Sequence, residues 1–254
     1  MKSNSPYYSQ GLATAYVSGG ELKFSKNMAQ WILKTLYPKQ VGKVLDVACG
    51  AGEAVRVFQK AGWKASGIDK SHDMLQLARE RNAPEVSLRQ GAMQQLKGVG
   101  RGFDLVTCMY DAINCNLSVD DLDTTLERIF KILVPGGRFV FDAFTVDGLH
   151  RAYDGLELHT RNRDHVVITH SEVDRRRHIG TKVLLGASRH PNWEPWREVH
   201  HVRAYRPKTL TRQLRRAGFS RPELYSWPDG VRTSASAVES LERFIVVAER
   251  PKKP

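Results

Sequence analysis

Cysteine is scarce in this chain: Cys49, Cys108 and Cys115 are the only three among 254 residues, and no two of them form a CxxC pair. That excludes a disulfide framework and a cysteine-based zinc site, and it suits a reducing compartment. Long apolar runs are also missing. No stretch approaches the roughly 20 residues that span a bilayer, and the opening MKSNSPYYSQGLATAY lacks the apolar region of a secretory leader. A cytoplasmic protein with no membrane association is expected. The histidines that crowd the second half, His150, His159, His165, His170, His178, His190, His200 and His201, show neither HExxH nor HxxxH spacing, so no metal is expected. Internal repeats and low-complexity segments are absent.

What is present is a chain 41% hydrophobic and 26% charged with a net charge of +12. The composition is that of a folded globular protein. The positive field favours acidic ligands, nucleic acid or plain solubility without choosing among them. From 41 to 145, short apolar β-branched runs alternate with amphipathic stretches. KVLDVA, KASGID, VSLRQGAM, FDLVTCM and GRFVFDAF read as strands, the last after a Pro135-Gly136-Gly137 turn. EAVRVFQKAG, SHDMLQLARERN with Ser71 as N-cap, and DDLDTTLERIFKIL read as helices. This rhythm implies a parallel sheet with helices on both faces. Residues 146–205 break it: HVVITHSEVD, HIGTKVLLGASRH and WREVHHVRAYR predict an antiparallel excursion of about three strands. The helix PKTLTRQLRRAGF and the strands PELYSW and LERFIVVAER then resume the alternation. We therefore expect one domain over 1–254, with a helical cap at 1–40, a ligand-binding core at 41–145, an inserted β lid at 146–205 and a closing helix and strands at 206–254.

VLDVACGAGEAV carries the chemistry. A strand ends near Asp46, a loop runs from Val47 to Gly52, and a helix opens near Glu53. Gly50 and Gly52 remove side chains where a ligand approaches the main chain. A third glycine is lacking: Val55 stands where the nicotinamide fingerprint GxGxxG requires one. A carboxylate at Asp46 repels a pyrophosphate but accepts from an ammonium group. At the tip of the second strand Asp69 is placed to take both hydroxyls of a ribose. A ligand with an amino-acid end and a nucleoside end, such as S-adenosylmethionine, satisfies both carboxylates.

DVACGAG resembles the first motif of class I S-adenosylmethionine-dependent methyltransferases, and FDLVTCMYDAINCNLS with LVPGGRFVFDAFT resembles their fourth motif and fifth strand. The resemblance covers about Tyr7 to Arg250. In detail the chain is similar to the small-molecule branch of bacterial sugar N-methyltransferases and glycine N-methyltransferase-like enzymes, through GLATAYVS, the lid and YRPKTLTRQLRRAGF. It implies a Rossmann-like, doubly wound α/β fold with a mostly parallel seven-stranded sheet and an inserted antiparallel β lid. It puts Asp46, Ala48, Gly50 and Gly52 around the methionine part of the cofactor, Asp69 on the ribose, Lys70 and Met74 beside the adenine, and Ala92 and Met93 on its other edge. Cys108 and Met109 would floor the sulfonium and Tyr16 would cover it, with Cys49 and Cys108 as small apolar linings. Many relatives carry an acid where Ala92 stands, leaving Gln94 or backbone to meet the adenine amino group.

Methyl transfer from a sulfonium is an in-line displacement that depends on positioning and water exclusion. Asp111, flanked by Tyr110 and Asn114, is the carboxylate expected nearest the methyl, as base or amine anchor; a turn residue is an equal reading. His200 or His201 is a further candidate base. The arginines of RRRH, Arg175 to His178, and of RPKTLTRQLRRAGFSR suit solvated surface first and an anionic substrate second. Trp193, Trp196 and Trp227 suit packing before a substrate wall. The expected function is methylation of nitrogen or oxygen on a small molecule, with S-adenosylhomocysteine as product. RNA or protein methylation and non-catalytic cofactor binding are the alternatives, nucleic acid being disfavoured by the lack of an NPPY-like tetrad at MYDAIN. Monomer and homodimer both stay open.

Overall fold

A strand covered on both faces must be apolar at successive positions, and β1 (Lys43–Val47) is buried at every residue but its first. The computed structural model describes residues 8–161, 163–189 and 192–252. Two helices, α1 (Gln10–Ser18) and α2 (Leu22–Leu36), precede β1. After it come α3 (Glu53–Lys60), β2 (Lys64–Asp69), α4 (His72–Arg81), β3 (Ser87–Gln90), β4 (Phe103–Cys108), α5 (Val119–Ile132) and β5 (Leu133–Phe144). Ser71 is the N-cap of α4, its hydroxyl accepting from Met74 N–H at 3.0 Å, as the sequence predicts. The chain closes with α7 (Pro207–Arg216), β10 (Glu223–Ser226), β11 (Arg232–Thr233), α8 (Ala235–Val238) and β12 (Arg243–Glu249).

These strands form one sheet in the order β11-β10-β12-β5-β4-β1-β2-β3. β1 to β5 pair parallel, and β12 runs antiparallel between β5 and β10. The two-residue β11 adds an eighth strand to the seven expected. The Pro135-Gly136-Gly137 segment is no turn before β5 but a bulge inside it: Phe103 pairs with Leu133 and Leu105 with Arg138. One core layer joins Phe139 and Phe141 to Leu126 and Ile129 of α5 and Leu214 of α7. The opposite layer joins Val44 and Ile245 to Met28 and Ile32 of α2 and Phe58 of α3.

Gly52 shows how helices lock onto this sheet. It caps α3 with φ +73°, and a Cβ built there meets Asn82 Nδ2 at 2.5 Å and Ala78 Cβ at 3.1 Å. That amide donates to Ala78 O at 2.8 Å. Gly52→Ala should therefore cost about 2 kcal/mol, from left-handed strain plus a displaced hydrogen bond. Chemical denaturation measures this, and a neutral substitution would contradict the close packing of α3 on α4.

The excursion differs in detail from the expected three strands. It opens with a helix, α6 (Val146–Ala152), capped by Thr145, and holds four strands, β6 (Gly155–Arg161), β7 (His165–Asp174), β8 (Ile179–Arg189) and β9 (Trp193–Arg203), in a separate antiparallel sheet. Buried Thr169, Leu184, Glu198, His200 and Val202 share one face, and α1 lies against β7, β8 and α4. Trp196 fills the space between Gly11 of α1 and Gly186 of β8: a Cβ on either would come within 2.3 Å of its ring.

Candidate active site

Strand order reverses between β1 and β4, where ligands of open α/β sheets bind. A cavity sits there, beyond the carboxyl ends of the strands. Ala48, Cys49 and Gly50 follow β1, Asp69 and Lys70 end β2, Ala92, Met93 and Gln94 follow β3, and Met109, Tyr110 and Asp111 follow β4. Tyr8 and Tyr16 from the N-terminal segment and Thr169, Lys182, Leu184 and His200 from the second sheet close it. The walls thus come from the switch point, the N-terminal segment and the second sheet together.

The loop after β1 bends through left-handed conformations at Ala48 (φ +57°), Gly50 (+51°) and Gly52 (+73°). Asp69 fixes it: Gly50 N–H donates to Oδ2 and Ser71 N–H to Oδ1, both at 2.8 Å. Each carboxylate oxygen has a further lone pair for a ligand hydroxyl. Burial raises the Asp69 pKa against these donors, and burial lowers that of Lys70. Met74 also lines the wall, and Gln94 donates to Asn116 Oδ1 at 2.8 Å.

Several predicted positions stand elsewhere. Asp46 is not part of the cavity wall: it is 3% exposed, accepts from Thr107 Oγ1 at 2.7 Å, and is pushed up to about 7 by burial. The ammonium-accepting role expected of it has no support in this geometry. Gly52 faces α4, so its missing side chain serves helix packing and not ligand approach. Cys108 is fully buried and does not line this cavity.

The other half of the cavity centres on Asp111, which is 9% exposed. Arg243 donates from Nη1 to Asp111 Oδ1 at 2.6 Å and to Asp142 Oδ2 at 3.2 Å, while Asp111 N–H donates to Asp142 Oδ2 at 3.0 Å. Burial raises both carboxyls and Arg243 opposes it; Asp142 reaches about 6. The guanidinium also lies 4.0 Å from the Phe144 ring centroid. Sequence reasoning missed Arg243 because its partners lie across the sheet. Tyr110 lines the wall and bonds Glu21, which with burial raises its hydroxyl pKa. Asn114 is not a wall residue. It donates to Arg203 O at 2.7 Å and accepts from Phe144 N–H at 3.1 Å, tying the β4 loop to β5 and β9. His201 points away, exposed, with Thr181 Oγ1 at 3.0 Å; His200, one residue earlier, faces the cavity.

No group of three metal-ligating side chains occurs among the described residues; His190 lies outside them. Trp196 and Trp227 pack against neighbours, Trp193 is 48% exposed, and none lines the cavity. Arg175, Arg176 and Arg177 are exposed.

Residues 44–137 match the family described as "Methyltransferase domain". The dTDP-3-amino-3,6-dideoxy-alpha-D-glucopyranose N,N-dimethyltransferase of Streptomyces fradiae is 36% identical over 103 residues, 41% of this chain and 40% of that protein. The chain spans about half the length of the curated relatives it matches, 54% of one and 40% of another. In fold, the sugar N-methyltransferase KedS8 from Streptoalloteichus superposes with a TM-score of 0.75 at 20% identity, over 99% of this chain and 98% of that one. A Clostridium acetobutylicum S-adenosylmethionine-dependent methyltransferase gives 0.73 at 18% identity, over 90% and 91%. The chain thus has the Rossmann-like fold of these solved methyltransferases, matches the methyltransferase-domain family over residues 44–137, and is similar to the bacterial sugar N-methyltransferases.

Proposed function

We propose that this chain transfers a methyl group from S-adenosylmethionine to a nitrogen of a small-molecule acceptor. The observation that carries the reading is a cavity at the switch point lined both by the Asp69-braced loop after β1 and by buried Asp111. The residues present fit the cofactor: Asp69 offers free lone pairs at the strand tip for a ribose, and the loop after β1 turns through positive φ where backbone meets ligand. Met74, Ala92 and Met93 supply an apolar slot for a purine, with Gln94 at its edge. When bound, the cofactor supplies an electrophilic methyl on sulfur.

Asp111 would hold the acceptor amine and take its proton. A carboxylate whose pKa is raised by burial is a stronger base than a surface one. Tyr16 and Tyr110 would exclude water, their rings meeting edge to face at 5.8 Å. Nitrogen is favoured over oxygen because relatives from two Streptomyces species are amino-sugar N,N-dimethyltransferases. Methyl transfer from labelled cofactor should appear in a panel of amines and nucleotide-linked amino sugars, and transfer to phenols alone would exclude the nitrogen assignment. Asp111→Asn should leave S-adenosylhomocysteine binding intact and cut turnover at least 100-fold. Full turnover would leave Asp111 a structural partner of Arg243.

A further inference from the structure

Glu198, on β9 of the second sheet, has no solvent exposure, yet it belongs neither to the cofactor wall nor to the Asp111 cluster. Its carboxylate collects four donors. Tyr8 N–H reaches Oε2 at 2.7 Å, Ser9 N–H and Ser9 Oγ reach Oε1 at 2.7 and 2.6 Å, and His200 Nε2 lies 2.8 Å from Oε2. Three of the four come from the segment just before α1. That segment is tied on its other side to the start of α4, where the N-cap residue Ser71 donates from Oγ to Tyr8 O at 2.8 Å. It is held a third time further on, where Ser188 Oγ of β8 donates to Gly11 O at 3.3 Å and to the same hydroxyl Trp196 Nε1 donates at 3.1 Å.

The strap so fastened carries the rings that roof the cavity. Tyr8 packs against His200 with centroids 4.9 Å apart and meets Tyr16 edge-on at 5.5 Å, and both tyrosines line the cavity. A buried carboxylate that accepts several charge-assisted bonds is a strong fastening while its partners are in place. Removing them leaves an uncompensated charge, so release is cooperative. The bonds hold the Glu198 pKa below the ordinary carboxylate range although burial opposes them.

We propose that Glu198 is a positioning residue that closes the active site: it clasps residues 8–18 between the lid sheet and the start of α4, and so holds Tyr8 and Tyr16 over the bound ligand. This rests on the cofactor reading above, since what the roof retains is the cofactor or its product. Opening the clasp lifts Tyr8 and Tyr16 off the ligand, so weakening it speeds release without altering the floor of the site.

The test is the dissociation rate of S-adenosylhomocysteine by stopped-flow displacement, beside amide hydrogen exchange of residues 8–18 without ligand. Glu198→Gln should release the product at least tenfold faster and raise exchange in α1, with exchange in β1 to β5 unchanged. Ser9→Pro is the second variant. It removes the N–H and the hydroxyl together at a residue whose φ of −60° proline accepts, and Ser9 itself belongs neither to the cavity wall nor to the lid. It should reproduce both effects, and the double variant should release no faster than the faster single one. Wild-type release from a folded Ser9→Pro protein, or additive effects in the double variant, would overturn the clasp. Absence of any S-adenosylhomocysteine binding to the wild type would refute the cofactor reading, and the exchange measurement would still decide the clasp.

Discussion

Arg243→Met is expected to lower the unfolding free energy by about 3–5 kcal/mol, the cost of leaving buried carboxylates without their counter-ion. The Arg243 side chain is 14% exposed, and the two it serves, Asp111 and Asp142, are 13% and 0% exposed. The loss should depend on pH in a fixed direction. Burial already pushes Asp142 up to about 6 with the guanidinium in place, and removing it moves both carboxyls higher. A group with a raised folded pKa contributes stability that is full below its unfolded pKa, about 3.9 for aspartate, and lost as pH rises through the folded value. The wild type should therefore shed stability between about pH 4 and 7, Asp46 near 7 adding to the effect. The variant should shed more, over a range reaching further into alkali. Urea melts at pH 5 and pH 8 check this, the deficit being larger at pH 8. Adding Asp111→Asn and Asp142→Asn to the variant should recover part of it, because no buried charge then stands alone. A pH-independent deficit would mean that lost packing against Phe144 dominates over charge.

Asp69→Ala should weaken S-adenosylhomocysteine binding at least 100-fold, about 2.7 kcal/mol. Two effects add. The carboxylate that would accept the ribose hydroxyls disappears, and so does the brace on Gly50 N–H that shapes the loop after β1. Loss of the bonds to Gly50 and Ser71 should also lower stability by roughly 2–4 kcal/mol, so circular dichroism must show a folded variant before binding is compared. Affinity unchanged in a folded variant would put the ribose elsewhere.

The alternation of strands and helices was legible because the central parallel strands β1 and β4 are buried on both faces and a helix such as α5 buries one apolar face, so pattern and burial agree there. It failed where burial is one-sided or the element is short. β6 escaped because Leu156 and Leu158 are 74% and 55% exposed, so its pattern carries no core signal. α6 was hidden by Gly148, which reads against a helix yet is required there: a Cβ would lie 2.0 Å from Glu242 O. Choosing between His200 and His201 needs the parity of β9, and apolar Val199 and Val202 sit on opposite parities; only the lid packing settles which face is inward. Asp69 and Asp111 were findable because one ends β2 and the other follows β4, both at the carboxyl edge of the parallel sheet. Arg243 and Glu198 were not, because their partners lie 132 and 189 residues away in sequence.

The central claim is that the cavity holds S-adenosylmethionine, and calorimetric titration with S-adenosylhomocysteine, run beside NADH, tests it most directly. The site described here predicts one-to-one, micromolar binding of S-adenosylhomocysteine and no heat with NADH. Binding of NADH, or of neither, would contradict it.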